Sequence, residues 1–263
     1  DSQLSRVKEP AFSLRNLRTR GLLRLYSHYL SVGTRNREFL TRHGVADHRI
    51  FFSPHCVDND FFSTVAESAR TPAARGLIRG KLNLEPSDFV VLFAGKLEPK
   101  KRPWEVIEAA ARLERKAVVI IAGSGAEEIR CRELATALNV DARFTGFRNP
   151  TELAELYSVS DCLVLPSDER ETWGLVVNEA LAAGLPCIVS DAAGCSPDLI
   201  TNGATGYVTT SGNIESISLA MRNMASALDS GHDFLGACQQ RADEFSYAAA
   251  TAGLVDALAS AVV

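Results

Sequence analysis

The sequence predicts an α/β fold, a parallel sheet with helices on both faces, from three observations. Between Asp88 and Thr209, six runs of strand length recur: FVVLFAG, AVVIIAG, Ala142 to Thr145, CLVLPS, PCIVS and GYVTT. Helical patterns lie between them, and this alternation is the mark of a sheet whose strands are joined by helical crossovers. The longest apolar stretches, Phe89 to Gly95 and Ala117 to Gly123, stop far short of the roughly 18 to 20 residues needed to span a bilayer.

The elements follow in order along the 263 residues. Residues 1–27 carry Arg6, Lys8, Arg15, Arg18, Arg20 and Arg24 against only Asp1 and Glu9. Leucines at 14, 17, 22, 23 and 25 interleave with these arginines, so Ser13 to Tyr26 reads as a basic amphipathic helix. Such a helix serves either as a membrane-surface contact over residues 6–24 or as a solvated face packed on neighbouring chain. A short strand (Tyr29 to Val32), a helix (Thr34 to His43) and a second strand (Arg49 to Ser53) come next, too few strands for a sheet of their own. The six-strand region follows, and from Ile214 the chain reads as helices, ending in an Ala-rich amphipathic segment over 246–263. No initiating Met and no apolar signal segment is present, so the chain reads as a piece of a longer protein.

Composition excludes several functions. With 46% hydrophobic and 23% charged residues the chain can build a sizeable core. A net charge of -4 argues against a nucleic-acid partner, which calls for an excess of Lys and Arg. The six cysteines (Cys56, Cys131, Cys162, Cys187, Cys195, Cys238) form no CxxC pair, which fits free, mostly buried thiols in a reducing compartment. The five histidines are isolated from one another and offer no metal-ligand spacing.

Ligands of parallel α/β sheets sit beyond the carboxyl ends of the strands, so the candidate loops are 95–102, 123–127, 146–150, 167–174 and 191–196. The first holds Gly95, Lys96, Lys100, Lys101 and Arg102, cations suited to a diphosphate. Gly123-Ser124-Gly125 is half of a glycine turn: Glu128 stands where a dinucleotide fingerprint has its third Gly, which speaks against NAD but for close backbone approach. The fourth loop runs through Glu171 and Gly174 into the helical pattern WGLVVNEALAAG, whose first amides face the ligand side and suit phosphate. Glu179 follows eight residues after Glu171; were both helical, the rise would part them by about 12 Å. That is too far for two carboxylates acting on one glycosidic centre, but it suits two grips on an elongated ligand with hydroxyls at both ends and a diphosphate between, a nucleotide sugar. Asp58-Asn59-Asp60 has the look of a metal-binding Asp-x-Asp pair, but within PHCVDNDFF it is assigned a structural role.

In order, GKLEPKKRP, AGSGAEE, FTGFRNPTELAELYSVSDCLVLPS and ETWGLVVNEALAAGLPCIVSDAAG resemble the donor-binding half of a retaining GT-B glycosyltransferase of family 4. Glu171 and Glu179 meet its Glu-x7-Glu motif, and the resemblance runs from about Arg49 to Val263. It implies a Rossmann-like sheet forming the C-terminal half of a GT-B architecture and a role in polysaccharide biosynthesis. By residue, it implies that Glu171 holds the donor sugar hydroxyls, Glu179 the ribose hydroxyls, and Lys96 and Lys101 the diphosphate. The amides of Gly174, Leu175 and Val176 complete the phosphate site, with Gly95, Gly123 and Gly125 giving backbone approach and the backbone near Phe147 and Arg148 meeting the base. Departures are Lys96 where the family more often has Arg, Arg102-Pro103 after Lys101, and Cys195-Ser196-Pro197-Asp198.

The expected division is residues 1–48 as the end of an acceptor domain, 49–84 as interdomain linker, 85–245 as the nucleotide-sugar-binding domain and 246–263 as a crossover helix. The expected partners are a nucleotide sugar and a glycan or lipid-linked acceptor, with no cofactor or metal, in the cytoplasm or at the inner face of its membrane. A nucleotide-sugar epimerase of the same architecture and a non-catalytic nucleotide-sugar-binding module stay open as alternatives.

Overall fold

The computed structural model describes residues 14–262, with Leu14, Arg15 and Val262 described in backbone only. Arg6 and Lys8 of the basic segment lie outside the described residues. Helix α1 (Leu14–Leu23) leads to β1 (Tyr29–Ser31), α2 (Thr34–Arg42) and β2 (Ile50–Phe52). Short as they are, β1 and β2 pair in parallel, Tyr29 opposite Ile50, so the ladder crosses the expected boundary at 48.

The segment expected as linker is largely helical. Asp58 caps α3 (Asn59–Arg70) by accepting from the Phe61 amide at 2.9 Å, and Asn59 Nδ2 donates to the Ala242 carbonyl at 2.8 Å. The Asp-x-Asp triplet thus does structural duty here, as a cap and a tether. Thr71 and Pro72 end α3 and begin α4 (Pro72–Lys81), proline being tolerated in a first turn where its missing N–H has no partner to lose.

The main sheet contains β3 (Phe89–Ala94), β4 (Ala117–Ala122), β5 (Asp141–Gly146), β6 (Cys162–Leu165), β7 (Cys187–Ser190) and β8 (Gly206–Thr209). All are parallel, in the order β5-β4-β3-β6-β7-β8. Every residue of β3, β4, β6 and β7 is buried, because helices cover both faces. On one face lie α5 (Pro103–Ala110), α6 (Glu128–Ala137) and, returning from the end of the chain, α10 (Ile214–Asp229). On the other lie α3, α4, α7 (Pro150–Val159), α8 (Leu175–Ala182) and, after the single-turn α9 (Ser196–Leu199), α11 (Leu235–Asp243).

The last helix, α12 (Tyr247–Val262), crosses back to the front pair. Gly253 permits this: a Cβ there would stand 1.7 Å from the Phe52 carbonyl oxygen. On the far side of the front unit, Asp198 of α9 accepts from the Thr34 amide and hydroxyl, the latter at 2.6 Å, while Arg35 donates to the carbonyls of Asp191 and Ala192. The front unit is therefore clasped to the sheet domain at the α2 amino terminus and braced by α12. No helix among the described residues is long and apolar enough to cross a membrane.

Candidate functional site

Strand order reverses between β3 and β6, whose following helices α5 and α8 lie on opposite faces, and such a point opens a crevice at the carboxyl ends. The loops around it are joined through the main chain. The Leu97 amide donates to the Ser124 carbonyl at 2.9 Å and Glu127 returns a bond to Leu97 at 3.0 Å, tying the β3 and β4 loops. The Asp168 amide reaches the Lys100 carbonyl at 2.9 Å across the crevice, and the Gly194 amide reaches the Glu171 carbonyl at 3.0 Å on the β7 side. Glycine is required where these strands touch: a Cβ on Gly123 would sit 1.9 Å from the Gly95 carbonyl oxygen, at a φ of +145°.

Across this crevice Lys101 Nζ meets Glu171 Oε2 at 2.5 Å, both side chains largely buried. Ser167 Oγ donates to the same oxygen at 3.3 Å. The sequence placed these two charges on different loops without indicating that they touch. Lys96 is exposed on the rim of the β3 loop and forms no ion pair with a described group, whereas Arg102 turns away to Glu105 at 3.0 Å.

Glu171 is not helical. Helix α8 starts at Leu175, with Gly174 at its N-cap in a left-handed conformation, φ +106°. The 12 Å rise expected for a wholly helical Glu171-to-Glu179 stretch is thereby corrected: the first Glu lies on a folded loop, and only the second lies on the helix. That loop is held by Trp173, whose indole N–H donates to Asn178 Oδ1 at 2.8 Å, while Asn178 donates to the His55 carbonyl. The amides of Gly174, Leu175 and Val176 bond to no described group, as first-turn donors without intrahelical partners do, and they remain available to an anion.

Glu179 lies one turn further along α8, half-buried, where Oε2 accepts from the phenol of Tyr157 at 2.7 Å. Burial raises its pKa above the ordinary carboxylate value, and the Tyr157 bond opposes the rise. Phe147 stands exposed past the end of β5, and Arg148 folds back onto Glu152 at 3.2 Å. Gly95 and Gly125 line the same row with positive φ. Sequence reasoning missed Ser167, Asn178 and Tyr157, whose only signal was their place in FTGFRNPTELAELYSVSDCLVLPS and WGLVVNEALAAG.

Residues 75–234 match the family described as Glycosyl transferases group 1. The chain belongs to this family. Among curated proteins, this group 1 chain is 30% identical over 204 residues to the D-inositol 3-phosphate glycosyltransferase of Rhodococcus jostii (strain RHA1), covering 73% of the chain and 45% of that relative. It is 32% identical over 176 residues to the enzyme of the same description from Mycobacterium bovis (strain BCG / Pasteur 1173P2), covering 65% of the chain and 35% of the relative. It thus spans less than half the length of these curated relatives. Among solved structures it resembles Anabaena HepE in complex with UDP, with a TM-score of 0.83, 20% identity, and coverage of 98% of this chain and 71% of that one. That likeness shows the fold expected from the sequence, the parallel sheet with helices on both faces that forms the C-terminal half of a GT-B architecture.

Proposed function

We propose that this chain supplies the donor-binding half of a retaining glycosyltransferase, of the family 4 kind, that moves a sugar from a nucleotide-diphosphate sugar to a glycan or lipid-linked acceptor in polysaccharide biosynthesis. The observation that carries the reading is the Lys101–Glu171 pair, a cation and a hydroxyl acceptor side by side in one crevice next to the open amides of α8. Lys101, Lys96 and those amides hold the diphosphate, Glu171 the sugar hydroxyls, and Glu179 the ribose hydroxyls, with the base against the backbone of Phe147 and Arg148. The UDP complex of HepE and the glycosyltransferase names of the curated relatives support a nucleotide-sugar donor.

In the reaction, the bond from the anomeric carbon to the diphosphate oxygen breaks and a bond to the acceptor oxygen forms on the same face. The acceptor proton leaves with the diphosphate, whose growing charge Lys101 and the α8 amides stabilise. No metal is assigned a part, since these cations and amides serve as the anion's partners. The enzyme acts in the cytoplasm, with the basic segment 6–24 as a contact to the inner membrane face.

The test is thermal stabilisation of this chain by UDP-, GDP- and ADP-sugars in the presence of EDTA, with Lys101→Ala and Glu179→Ala alongside. Ligand at 100 times its Kd stabilises by about 2.7 kcal/mol. A shift with one nucleotide class in EDTA, lost in both variants, is expected. A folded chain that shifts with none of them rejects the reading, and a shift that both variants retain rejects the residue assignment.

A further inference from the structure

We infer that Tyr157 is the positioning residue that aims Glu179 at the nucleotide ribose. The inference rests on the proposed function, since the ribose is the ligand group Glu179 is assigned there.

The geometry is specific. Tyr157 sits on α7 with no exposed surface, its ring in the main core and 6.1 Å from the ring of Phe62 on α3. Its hydroxyl leaves that apolar surround only to donate to Glu179 Oε2 at 2.7 Å. A buried phenol without a partner costs free energy, so the bond fixes both ends. With Oε2 engaged, Oε1 has no partner among the described residues, yet it does not belong to the sealed, unsatisfied polar atoms, so it keeps some exposed surface. One oxygen is thus committed to the scaffold and one is presented.

The carboxyl has few other influences. Burial raises its pKa, and among the described residues the Tyr157 phenol is the group opposing that rise. Among the groups packed around the pair, Cys187 of β7 lies close enough to influence the phenol, and burial holds that thiol well above its usual pKa and therefore neutral. Removing the phenol leaves Glu179 with a higher pKa and without a fixed rotamer. A carboxylate that must accept from hydroxyls then loses its ionised form at a higher pH, and the acid limb of nucleotide binding moves up.

Tyr157→Phe keeps the ring and deletes only the donor. The experiment titrates wild type and Tyr157→Phe with UDP, GDP and ADP by calorimetry from pH 5 to pH 8. The 2′,3′-dideoxy form of each nucleotide is titrated in parallel, with Glu179→Gln as a third protein. The expected result with the ribonucleotide that binds is roughly tenfold weaker affinity for Tyr157→Phe at neutral pH, from loss of a charge-assisted hydrogen bond. Its acid limb moves to higher pH. With the dideoxy nucleotide, wild type and Tyr157→Phe bind alike.

Equal weakening toward ribo and dideoxy forms makes Tyr157 a merely structural residue and overturns the inference, as does no weakening at all. In both cases wild-type binding leaves the donor-site reading intact. If folded wild type binds none of the three nucleotides, the proposed function fails and this inference with it. Retention of ribose discrimination by Glu179→Gln would also overturn it, because Tyr157 would then have nothing to aim.

Discussion

Lys101 and Glu171 neutralise one another in a crevice proposed to receive a diphosphate and a hydroxylated sugar, so each exchanges partners when the ligand arrives. For the diphosphate alone, Glu171 is a competitor for Lys101. Lys101→Ala is accordingly expected to weaken binding of a nucleoside diphosphate about 10- to 100-fold, the worth of a charged hydrogen bond. Glu171→Gln is expected to bind the bare diphosphate at least as tightly as wild type while losing the added affinity of the attached sugar. Calorimetry with UDP and UDP-glucose, or the matching pair for another base, checks both; weaker diphosphate binding by Glu171→Gln would mean that Glu171 aids the anion site. Gly123 supports the same crevice through its backbone. Gly123→Ala must relieve a 1.9 Å approach to the Gly95 carbonyl and a positive φ together, and a loss of more than about 2 kcal/mol in denaturant unfolding is expected. The identities of these residues were readable in the sequence, because a lysine loop and a Gly-x-Gly turn are local patterns. Their pairings were not, since Lys101 and Glu171 meet through the reversal of strand order between β3 and β6, which no local period encodes.

At the level of elements, α7 carries Tyr157 and depends on its start. Asn149 accepts from the Glu152 amide at 2.9 Å and Glu152 answers to the Asn149 amide at 3.0 Å, a reciprocal cap ahead of Pro150. Asn149→Ala is expected to cost about 1 kcal/mol of stability, measured by urea unfolding with an unchanged slope. The strands β3, β4, β6 and β7 were plain in the sequence because burial on both faces leaves unbroken apolar runs. In contrast, β5 is half-buried along its length at the sheet edge and was read from only four residues. The pairing of β1 with β2 was unreadable for another reason: three residues each carry no period, and one of the elements packed on them, α12, lies two hundred residues away. Likewise α3 and α4 passed for linker, although Asp58 and Pro72 are the start signals that mark them.

For the molecule as a whole, the Thr34–Asp198 contact decides how the front unit sits on the sheet domain. Burial raises the Asp198 pKa above its ordinary 3.8, the two bonds from Thr34 opposing that rise. The folded chain therefore holds the Asp198 proton to higher pH than the unfolded one, and this group's contribution to stability falls as pH rises from about 3.8 through the raised value. Asp198→Asn is expected to remove that falling contribution, so that the Tm of the variant relative to wild type rises with pH across this window; a difference that falls with pH would contradict the sign. Asp198→Ala is expected to speed amide hydrogen exchange in α2 and leave β3 and β4 protected, since those strands are fully buried and paired with strands on both sides. The main-chain links between the ligand-facing loops have a different consequence. They run from amide to carbonyl, at Leu97 to Ser124, Asp168 to Lys100 and Gly194 to Glu171, and involve no side chain. Exposed rim residues such as Lys96 and Phe147 can therefore be exchanged without unpicking the frame that holds them. Selectivity is separable from foldability in this scaffold, and a library confined to its rim should return folded proteins with altered ligand preference.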